Sequence, residues 1–291
     1  MEGCEKNKVL KSTLYLVATP IGNLADITER ALKVLGEVDF VAAEDTRNSL
    51  RLLSSYGIKK ELVSYYEHNK KSRGERIVAR LLAGESCALI TDAGMPAISD
   101  PGEDIVRLCA DAGITVSVIP GASAAVSALA LSALATTRFA FEGFLSANKG
   151  DRKKRLDAIK GEGRTVIFYE APHKLKTTLS DLRDTFGPER KISLCRELTK
   201  LNEEVIRTTL DGAVKLYEEK EPRGEYVLVL EGAEEAGCFT PCKENELLSL
   251  DPKEHVERYI EGGMTKKDAI KAVAKERGVP KSEIYDLMIE E

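Results

Sequence analysis

Apolar and polar positions follow a regular pattern over the first half of the chain. Between residues 13 and 120, short apolar runs alternate with amphipathic segments, which is typical of βαβ units around a parallel sheet. The apolar runs predict strands at 14–17, 40–43, 62–65, 88–91 and 115–119. The amphipathic segments predict helices at 27–35, 46–55, 74–82 and 103–111. We therefore expect an open α/β domain over residues 12–121.

The pattern changes after residue 121. An Ala- and Ser-rich helix begins there, and longer apolar runs then predict strands at 139–145, 165–169, 192–198 and 226–231. Helical patterns lie at 152–159, 174–185 and 211–219. These elements predict a second α/β domain over residues 122–233, with a mixed sheet. Residues 234–248 have no periodicity, which indicates a linker.

Residues 249–291 predict a small helical tail. Helical patterns lie at 253–261, 265–277 and 282–289, with Thr265 as an N-cap and a tight turn at 278–280. This order resembles a helix-turn-helix module. Such modules also pack against other domains, so DNA binding, RNA contact and docking on the rest of the chain all stay open. The expected fold class is α/β, with two α/β domains and this tail.

One uncharged stretch tests whether the chain enters a membrane. Residues 112–137 carry no charge over 26 positions, and about 20 residues cross a bilayer. Pro120 and Gly121 interrupt the stretch, and mostly Ala and Ser follow. A buried strand, a turn and a buried helix fit better than a membrane span.

Composition and charge add limits to this picture. The six cysteines contain no Cys-x-x-Cys pair, so neither a zinc framework nor a dense disulfide framework is indicated. Residues 1–12 have no apolar core, unlike a secretory signal, and a reducing cytoplasm is expected. The net charge of −5 argues, as an average, against a nucleic-acid-binding protein.

Candidate chemistry is expected beyond the carboxyl ends of the parallel strands, where open α/β sheets bind ligands. The turn after the first strand contains Pro20 and Gly22 but lacks the Gly-x-Gly-x-x-Gly dinucleotide fingerprint. Glu44 and Asp45 follow the second strand, where two acids suit ribose hydroxyls or the orientation of a nucleophile. The alternative is that their charge only favours a helix N-terminus.

The richest segment, residues 91–102, follows the fourth strand. Two acids, two glycines and two prolines make it a structured loop. Asp100 or Ser99 is expected to cap the next helix, whereas Asp92 has no such role and is expected to point into the cleft. After the fifth strand, small residues begin a helix whose backbone N–H groups suit a close ligand.

In combination these segments resemble the tetrapyrrole-methylase-type (class III) methyltransferases. The resemblance rests on residues 16–28, 43–47, 91–96, 98–102, 120–124, 141–144, 168–174, 196–200 and 224–229. Within the family the chain is most similar to the bacterial enzymes that methylate the 2′-hydroxyl of a cytidine ribose in small-subunit (16S) ribosomal RNA.

The resemblance implies two α/β domains with S-adenosylmethionine in the cleft between them. We expect no metal site. Matching positions imply cofactor contacts at Pro20, Gly22, Asp92, Ala93, Gly94, Met95, Ser123, Ala124, Tyr169 and Ala171. The chain departs from the family pattern at Met95, Ser146 and Lys174, where Thr, Pro and Arg are common. Of these, Met95 is the departure that can reshape the cofactor edge of the loop.

The resemblance also implies a homodimer and a substrate side. On that side we expect Asp26, Arg47, Asp100 and the segment 196–200, which begins with Arg196, and Asp45 is expected to face the RNA. A ribose hydroxyl is a weak nucleophile and benefits from a group that accepts its proton. The candidates for this catalytic base are Asp45, Asp100, Glu170 and Lys200.

The charge of −5 is unevenly distributed. Residues 149–176 contain nine Lys and Arg against four acids, a local charge of +5 that leaves −10 for the rest of the chain. The basic run in this segment suits RNA phosphates, and its alternative is a solvated helix face. The run comprises Lys149, Arg152, Lys153, Lys154 and Arg155.

Three functions follow from these features. The first is S-adenosylmethionine-dependent 2′-O-methylation of small-subunit ribosomal RNA, either free or in the assembled 30S subunit. The second keeps fold and cofactor but methylates a tetrapyrrole or other small metabolite, and the basic run argues against it. The third is a non-catalytic nucleic-acid-binding protein that uses the helical tail. We expect the first, in the cytoplasm and away from membranes.

Overall fold

The computed structural model describes residues 8–66, 70–233, 250–261 and 263–288. The chain divides into two compact units, Met1–Ala233 and Glu234–Glu291. Two five-stranded sheets lie in the first unit, and three helices lie in the described part of the second. The predicted linker at 234–248 lies outside the described residues.

The first sheet is parallel, as predicted. Its strands are β1 (Thr13–Val17), β2 (Phe40–Ala43), β3 (Glu61–Ser64), β4 (Cys87–Ile90) and β5 (Thr115–Ile119), in the order β3-β2-β4-β1-β5. The connecting helices are α1 (Glu29–Glu37), α2 (Thr46–Ser55), α3 (Lys70–Leu82) and α4 (Glu103–Asp111). Apolar clusters lie on both faces of the sheet, so β2 and β4 are buried at every position.

The second sheet is mixed, which confirms the prediction. Its strands are β6 (Phe139–Phe144), β7 (Thr165–Glu170), β8 (Lys191–Arg196), β9 (Glu204–Thr209) and β10 (Tyr226–Leu230), in the order β6-β7-β10-β8-β9. Strands β6 and β7 pair in parallel, and the other pairs are antiparallel. The edge strand β9 was not predicted, because it is half-exposed and mixes Arg and Thr with its apolar residues.

Helices cover both faces of the second sheet. One face packs against α5 (Ala124–Leu131). The other face packs against α6 (Lys149–Ala158), α7 (Pro172–Phe186) and α8 (Leu210–Glu219). The uncharged stretch thus forms β5, a turn and α5 in the predicted order, but the prediction that both elements are buried is wrong, because β5 is an edge strand and Val118 and Val126 are exposed. No helix in the described ranges is long and apolar enough to cross a bilayer.

The second unit contains α9 (Pro252–Glu261), α10 (Lys266–Arg277) and α11 (Lys281–Leu287). Their shared core includes Val256, Ile270, Val273 and Ile284. Thr265 caps α10 as predicted, since its hydroxyl accepts a hydrogen bond from the backbone N–H of Asp268. Gly278 ends α10 with a left-handed φ of 66°. The tight turn between α10 and α11 agrees with the helix-turn-helix order predicted for the tail.

Candidate active site

The loops that follow β1 and β4 are joined to each other. Thr19 and Gly94 exchange backbone hydrogen bonds of 2.9 and 3.1 Å, and the Thr19 hydroxyl donates to the Thr91 carbonyl at 3.2 Å. Gly94 has a φ of +85°, which favours glycine at this position. Two loops that the sequence placed at the ligand edge of the sheet therefore form one fixed wall.

The loop between β4 and α4 is strained. Ala97 and Ser99 have φ values of 69° and 61°, each of which costs a non-glycine residue about 1–2 kcal/mol. Gly102 packs so closely that an added Cβ would lie 2.9 Å from the Ala97 backbone nitrogen. The prediction that Asp100 or Ser99 caps α4 is wrong, because Gly102 is the N-cap and no side chain caps the helix. The strained loop instead directs Asp100 to the cavity described next.

A cavity of about 380 Å³ lies between the two sheets, a size typical of small-molecule sites. Of the predicted base candidates, Asp100, Glu170 and Lys200 line it, and Asp45 does not. Pro20 and Gly22 are also absent from its walls. Eight of the ten predicted cofactor positions line it, namely Asp92, Ala93, Gly94, Met95, Ser123, Ala124, Tyr169 and Ala171.

Three carboxylates, those of Glu44, Asp92 and Asp100, line this cavity together. Burial, followed by the charges of Glu44 and Asp92, raises the pKa of Asp100 to about 7. Burial and the charges of Asp92 and Asp45 also raise the pKa of Glu44. Asp92 accepts a hydrogen bond of 2.8 Å from the Asn48 side-chain amide. Carboxylates that repel each other in a half-buried site attract a cation.

Glu170 is buried at the end of β7 with both carboxylate oxygens occupied. They accept hydrogen bonds from the Ala171 backbone N–H at 2.8 Å and from the Thr178 hydroxyl at 2.5 Å. These bonds fix the start of α7. The neighbouring Tyr169 hydroxyl accepts a 3.2 Å hydrogen bond from the Ala125 backbone N–H, which joins β7 to α5 at the cavity wall.

Lys200 is held between two carboxylates at the cavity wall. Its ammonium donates to Glu197 at 2.9 Å and to Glu225 at 2.8 Å. Burial alone would lower the pKa of Lys200, but the hydrogen bonds to Glu225 and Glu197 raise it above its ordinary value. Lys200 is therefore charged at neutral pH. It packs against Gly22, where an added Cβ would lie 2.4 Å from Lys200 Cγ.

Asp45 lies at the start of α2. It accepts a hydrogen bond of 2.8 Å from the Arg47 backbone N–H and forms an ion pair of 2.7 Å with the exposed Arg47 guanidinium. These contacts, the side-chain one foremost, lower the pKa of Asp45 to about 2. Asp45 thus has the helix-capping role that the sequence left open as the alternative.

The predicted basic run lies on α6, and its members differ in environment. Arg152 is nearly buried and pairs with Asp181 at 2.6 Å, whereas Arg155 pairs with Glu142 at 2.6 Å. The exposed members that have no ion pair with any described residue are Lys149, Lys153 and Lys154. The run is therefore part structural and part free surface.

Arg196 is engaged within the fold. At the end of β8 it donates to the Arg223 carbonyl at 2.6 Å and pairs with Glu204 at 3.5 Å. Its side chain is 18% exposed, so little of it faces solvent.

The cavity also includes residues to which the sequence analysis gave no site role. They include Ile21, Ile98, Phe144, Cys195, Glu225, Tyr226 and Val227. Glu197 belongs to the segment 196–200 that was expected on the substrate side, whereas Glu225 lies in another segment of the resemblance and only its contact with Lys200 reveals its place in the site. In the described part of the chain, no three His, Cys, Asp or Glu side chains are arranged to hold a metal ion.

Comparison with known proteins agrees with this architecture. The model of the tetrapyrrole (corrin/porphyrin) methylases matches residues 13–214. The chain is 49% identical to the ribosomal RNA small subunit methyltransferase I of Halalkalibacterium halodurans, over 97% of this chain and 96% of that protein. It is 48% identical to the protein of the same name from Bacillus subtilis, over 94% and 92%.

Solved structures show the same fold at lower identity. The uroporphyrin-III-C-methyltransferase of Thermus thermophilus aligns with a TM-score of 0.54 and 23% identity, over 76% of this chain and 94% of that one. Diphthine synthase aligns with a TM-score of 0.59 and 16% identity, over 76% and 90%. The chain therefore belongs to the tetrapyrrole (corrin/porphyrin) methylase family, and within it to the group that contains the ribosomal RNA small subunit methyltransferase I proteins.

Proposed function

We propose that this chain transfers the methyl group of S-adenosylmethionine to the 2′-hydroxyl of a cytidine ribose in small-subunit ribosomal RNA. The observation that carries the proposal is the cavity between the sheets, with its cluster of Glu44, Asp92 and Asp100. The relatives support the choice of acceptor, because they are similar along nearly the whole chain and their name specifies small-subunit ribosomal RNA.

S-adenosylmethionine fits the chemistry of this cavity. Its sulfonium and ammonium groups are positive, and Asp92 and Asp100 offer the negative charge to hold them. The start of α5, at Ser123 and Ala124, has no side-chain cap and offers backbone N–H groups to a carboxylate. When bound, the cofactor supplies an electrophilic methyl group on a good leaving group. The joined loops after β1 and β4 provide the fixed position that in-line displacement requires.

Glu44 accepts the proton of the ribose hydroxyl in this proposal. Asp45, Glu170 and Lys200 are each held in contacts that make them poor acceptors at neutral pH. Asp100 binds the positive charge of the cofactor in this proposal, rather than lying on the substrate side. Glu44 lines the cavity, precedes Asp45 in the sequence, and has a raised pKa, which makes it a stronger base than an ordinary carboxylate.

Exposed cations bind the RNA phosphates in this proposal. They are Arg47, Lys149, Lys153 and Lys154, whereas Arg152, Arg155 and Arg196 stabilise the fold through their ion pairs. A cytoplasmic location and a homodimer belong to the same proposal. The exposed side chains of Val118 and Val126, on β5 and α5, offer apolar surface to a second copy. Light scattering on the purified chain measures the oligomeric state, and we expect the mass of a dimer.

A labelling assay tests the function. Tritiated S-adenosylmethionine is supplied with small ribosomal subunits from cells that lack the modification, with free RNA, and with a porphyrinogen as the small-metabolite control. We expect label in RNA at a ribose whose 3′ phosphodiester resists alkali, because alkaline cleavage needs a free 2′-hydroxyl. Label in the porphyrinogen, or in a base rather than a ribose, would contradict the proposal.

A further inference from the structure

The second unit has a groove of its own between α10 and α11, with a volume of about 640 Å³. Its floor includes the buried Ile270, and its lining includes one carboxylate, Asp286. The side chains that give the groove its character are Lys266, Lys267, Lys281 and Tyr285. The proposed methyl transfer uses none of these residues.

The positive charge of this groove continues along α10. Lys271 and Lys275 follow Lys267 at successive turns, so the three lie on one side of the helix. We call Lys266, Lys267, Lys271, Lys275 and Lys281 the lysine face. All five are exposed, and none has an ion pair with any described residue. Exposed lysines elsewhere do pair, as Lys215 does with Asp211 at 2.7 Å.

The positive charge of the lysine face does not come from an excess of basic residues in the second unit. Residues 250–288 contain eight Lys and Arg and eight Asp and Glu, and half of the acids lie at 251–261, on and before α9. Over the whole second unit, Glu234–Glu291, nine Lys and Arg stand against fourteen Asp and Glu, so the lysine face is a local positive surface on an acidic unit. Leaving five ammonium groups unpaired beside available acids favours an external polyanion.

Tyr285 adds a flat apolar surface to these cations. Its side chain is 52% exposed and lies one turn after Lys281 on α11. An exposed aromatic ring among cations is the combination with which proteins hold single-stranded nucleic acid, because the ring stacks on a base while the cations follow the phosphates. A protein partner could also use an exposed tyrosine, so binding to a ribosomal protein is one of the outcomes that the test below distinguishes.

We propose that the lysine face binds the sugar–phosphate backbone of the RNA substrate and that Tyr285 stacks on an unpaired base. The identity of the RNA rests on the proposed function, whereas the binding itself is independent of methyl transfer. The tail then contributes affinity for RNA and leaves the chemistry in the cavity unchanged.

Full-length variants test this inference with a labelled fragment of small-subunit ribosomal RNA titrated over a range of KCl. The variant K267Q/K271Q/K281Q should bind at least about tenfold more weakly, and the slope of log affinity against log salt should fall by about 2. The variant Y285L should bind about fivefold more weakly with its salt slope unchanged. The matched control K33Q/K59Q/K215Q removes the same charge elsewhere and should bind like the unmodified chain.

The outcomes separate this inference from the proposed function. Equal affinity and salt slope for the lysine-face variant and its control would overturn the inference, even if RNA is methylated. Normal binding to free RNA with loss of binding to assembled subunits would also overturn it, because the partner would then be a ribosomal protein. Failure of the unmodified chain to label RNA would contradict the proposed function alone, since RNA binding is measured without the cofactor.

Discussion

At the scale of single residues, the site is defined by carboxylates whose pKa values move in opposite directions. Asp45, paired with Arg47, has its pKa lowered to about 2. Asp100, half-buried near Glu44 and Asp92, has its pKa raised to about 7. Two aspartates of the same unit thus differ in protonation near neutral pH, and Asp100 is the one whose charge changes there.

The substitution Asp100→Asn tests the role given to that charge. In the unmodified chain, affinity for S-adenosylmethionine should rise with pH and level off above about 7, because Asp100 ionises there and a bound cation favours its ionised form. The variant should bind about tenfold more weakly at pH 8 and depend little on pH. Calorimetry between pH 5.5 and 8.5 measures both. An unchanged affinity at pH 8 would remove Asp100 from the cofactor site.

Thermal unfolding without cofactor provides the control for that variant. The folded-state pKa of Asp100 exceeds that of an unfolded Asp, so its protonated form contributes stability that is fully present below about pH 4. This contribution is lost as pH rises through about 7. The variant should therefore be as stable as the unmodified chain, or more so, at pH 8.

The substitution Glu44→Gln tests the proposed proton acceptor. With saturating cofactor and RNA, kcat should fall by roughly 10²–10⁴, because the amide cannot take up the hydroxyl proton. The dissociation constant of S-adenosylmethionine should change by less than about threefold. Asp45→Asn, on the adjacent acid, serves as the matched control. If kcat is retained in the Glu44 variant, another group accepts the proton.

At the scale of elements, α6 shows how one basic run divides between two tasks. Arg152 joins α6 to α7 through Asp181, and Arg155 joins it to β6 through Glu142. The exposed lysines of the same helix face solvent. In the sequence these arginines and lysines all look alike, because each carries one positive charge. Only the positions of the acids on α7 and β6 distinguish the paired arginines from the exposed lysines.

Paired variants on α6 measure that division. K149Q/K153Q/K154Q should lower RNA affinity and reduce the salt slope by about 2, without a change in melting temperature. Arg152→Ala should instead cost about 2–3 kcal/mol of unfolding free energy, because it leaves the half-buried Asp181 without its partner. Filter binding and thermal unfolding are the two measurements. An undiminished salt slope for the lysine variant would make α6 a solvated face.

The sequence predicted most elements, for identifiable reasons. The buried strands of the parallel sheet are continuous apolar runs and are read directly, whereas the half-exposed edge strand β9 gives no such run. Loop positions after strands identified Asp92 and Glu44. Two features could not be predicted from the sequence: the N-cap of α4 at Gly102, and the hydrogen bonds that Glu170 accepts. The first depends on backbone strain, and the second depends on contacts made only in the folded chain.

At the scale of the whole molecule, the site depends on contact between the two halves of the first unit. Gly22, after β1, packs against Thr199 and Lys200, which follow β8. Glu197 and Thr199 have left-handed φ values of 50° and 65°, so this contact is formed by strained backbone. Loops distant in sequence therefore set the shape of the cavity together.

Gly22→Val tests that contact. The added side chain would meet Lys200 Cγ and the Thr199 hydroxyl, so the segment must shift. We expect a loss of about 1–3 kcal/mol in unfolding free energy and weaker cofactor binding. Gly161→Ala, where an added Cβ meets nothing within 4 Å, is the control. Calorimetry and thermal unfolding check both variants, and wild-type affinity in the valine variant would show that the cavity does not depend on this contact.

The acidic cavity also bears on turnover. After methyl transfer the sulfur is neutral, so the spent cofactor has one positive charge fewer for Asp92 and Asp100 to hold. Ionised carboxylates thus bind S-adenosylmethionine more tightly than the spent cofactor, and protonation of Asp100 reduces this difference in affinity. The same charges that bind the donor would bind the product less tightly than the donor, and product inhibition should weaken as pH rises through about 7.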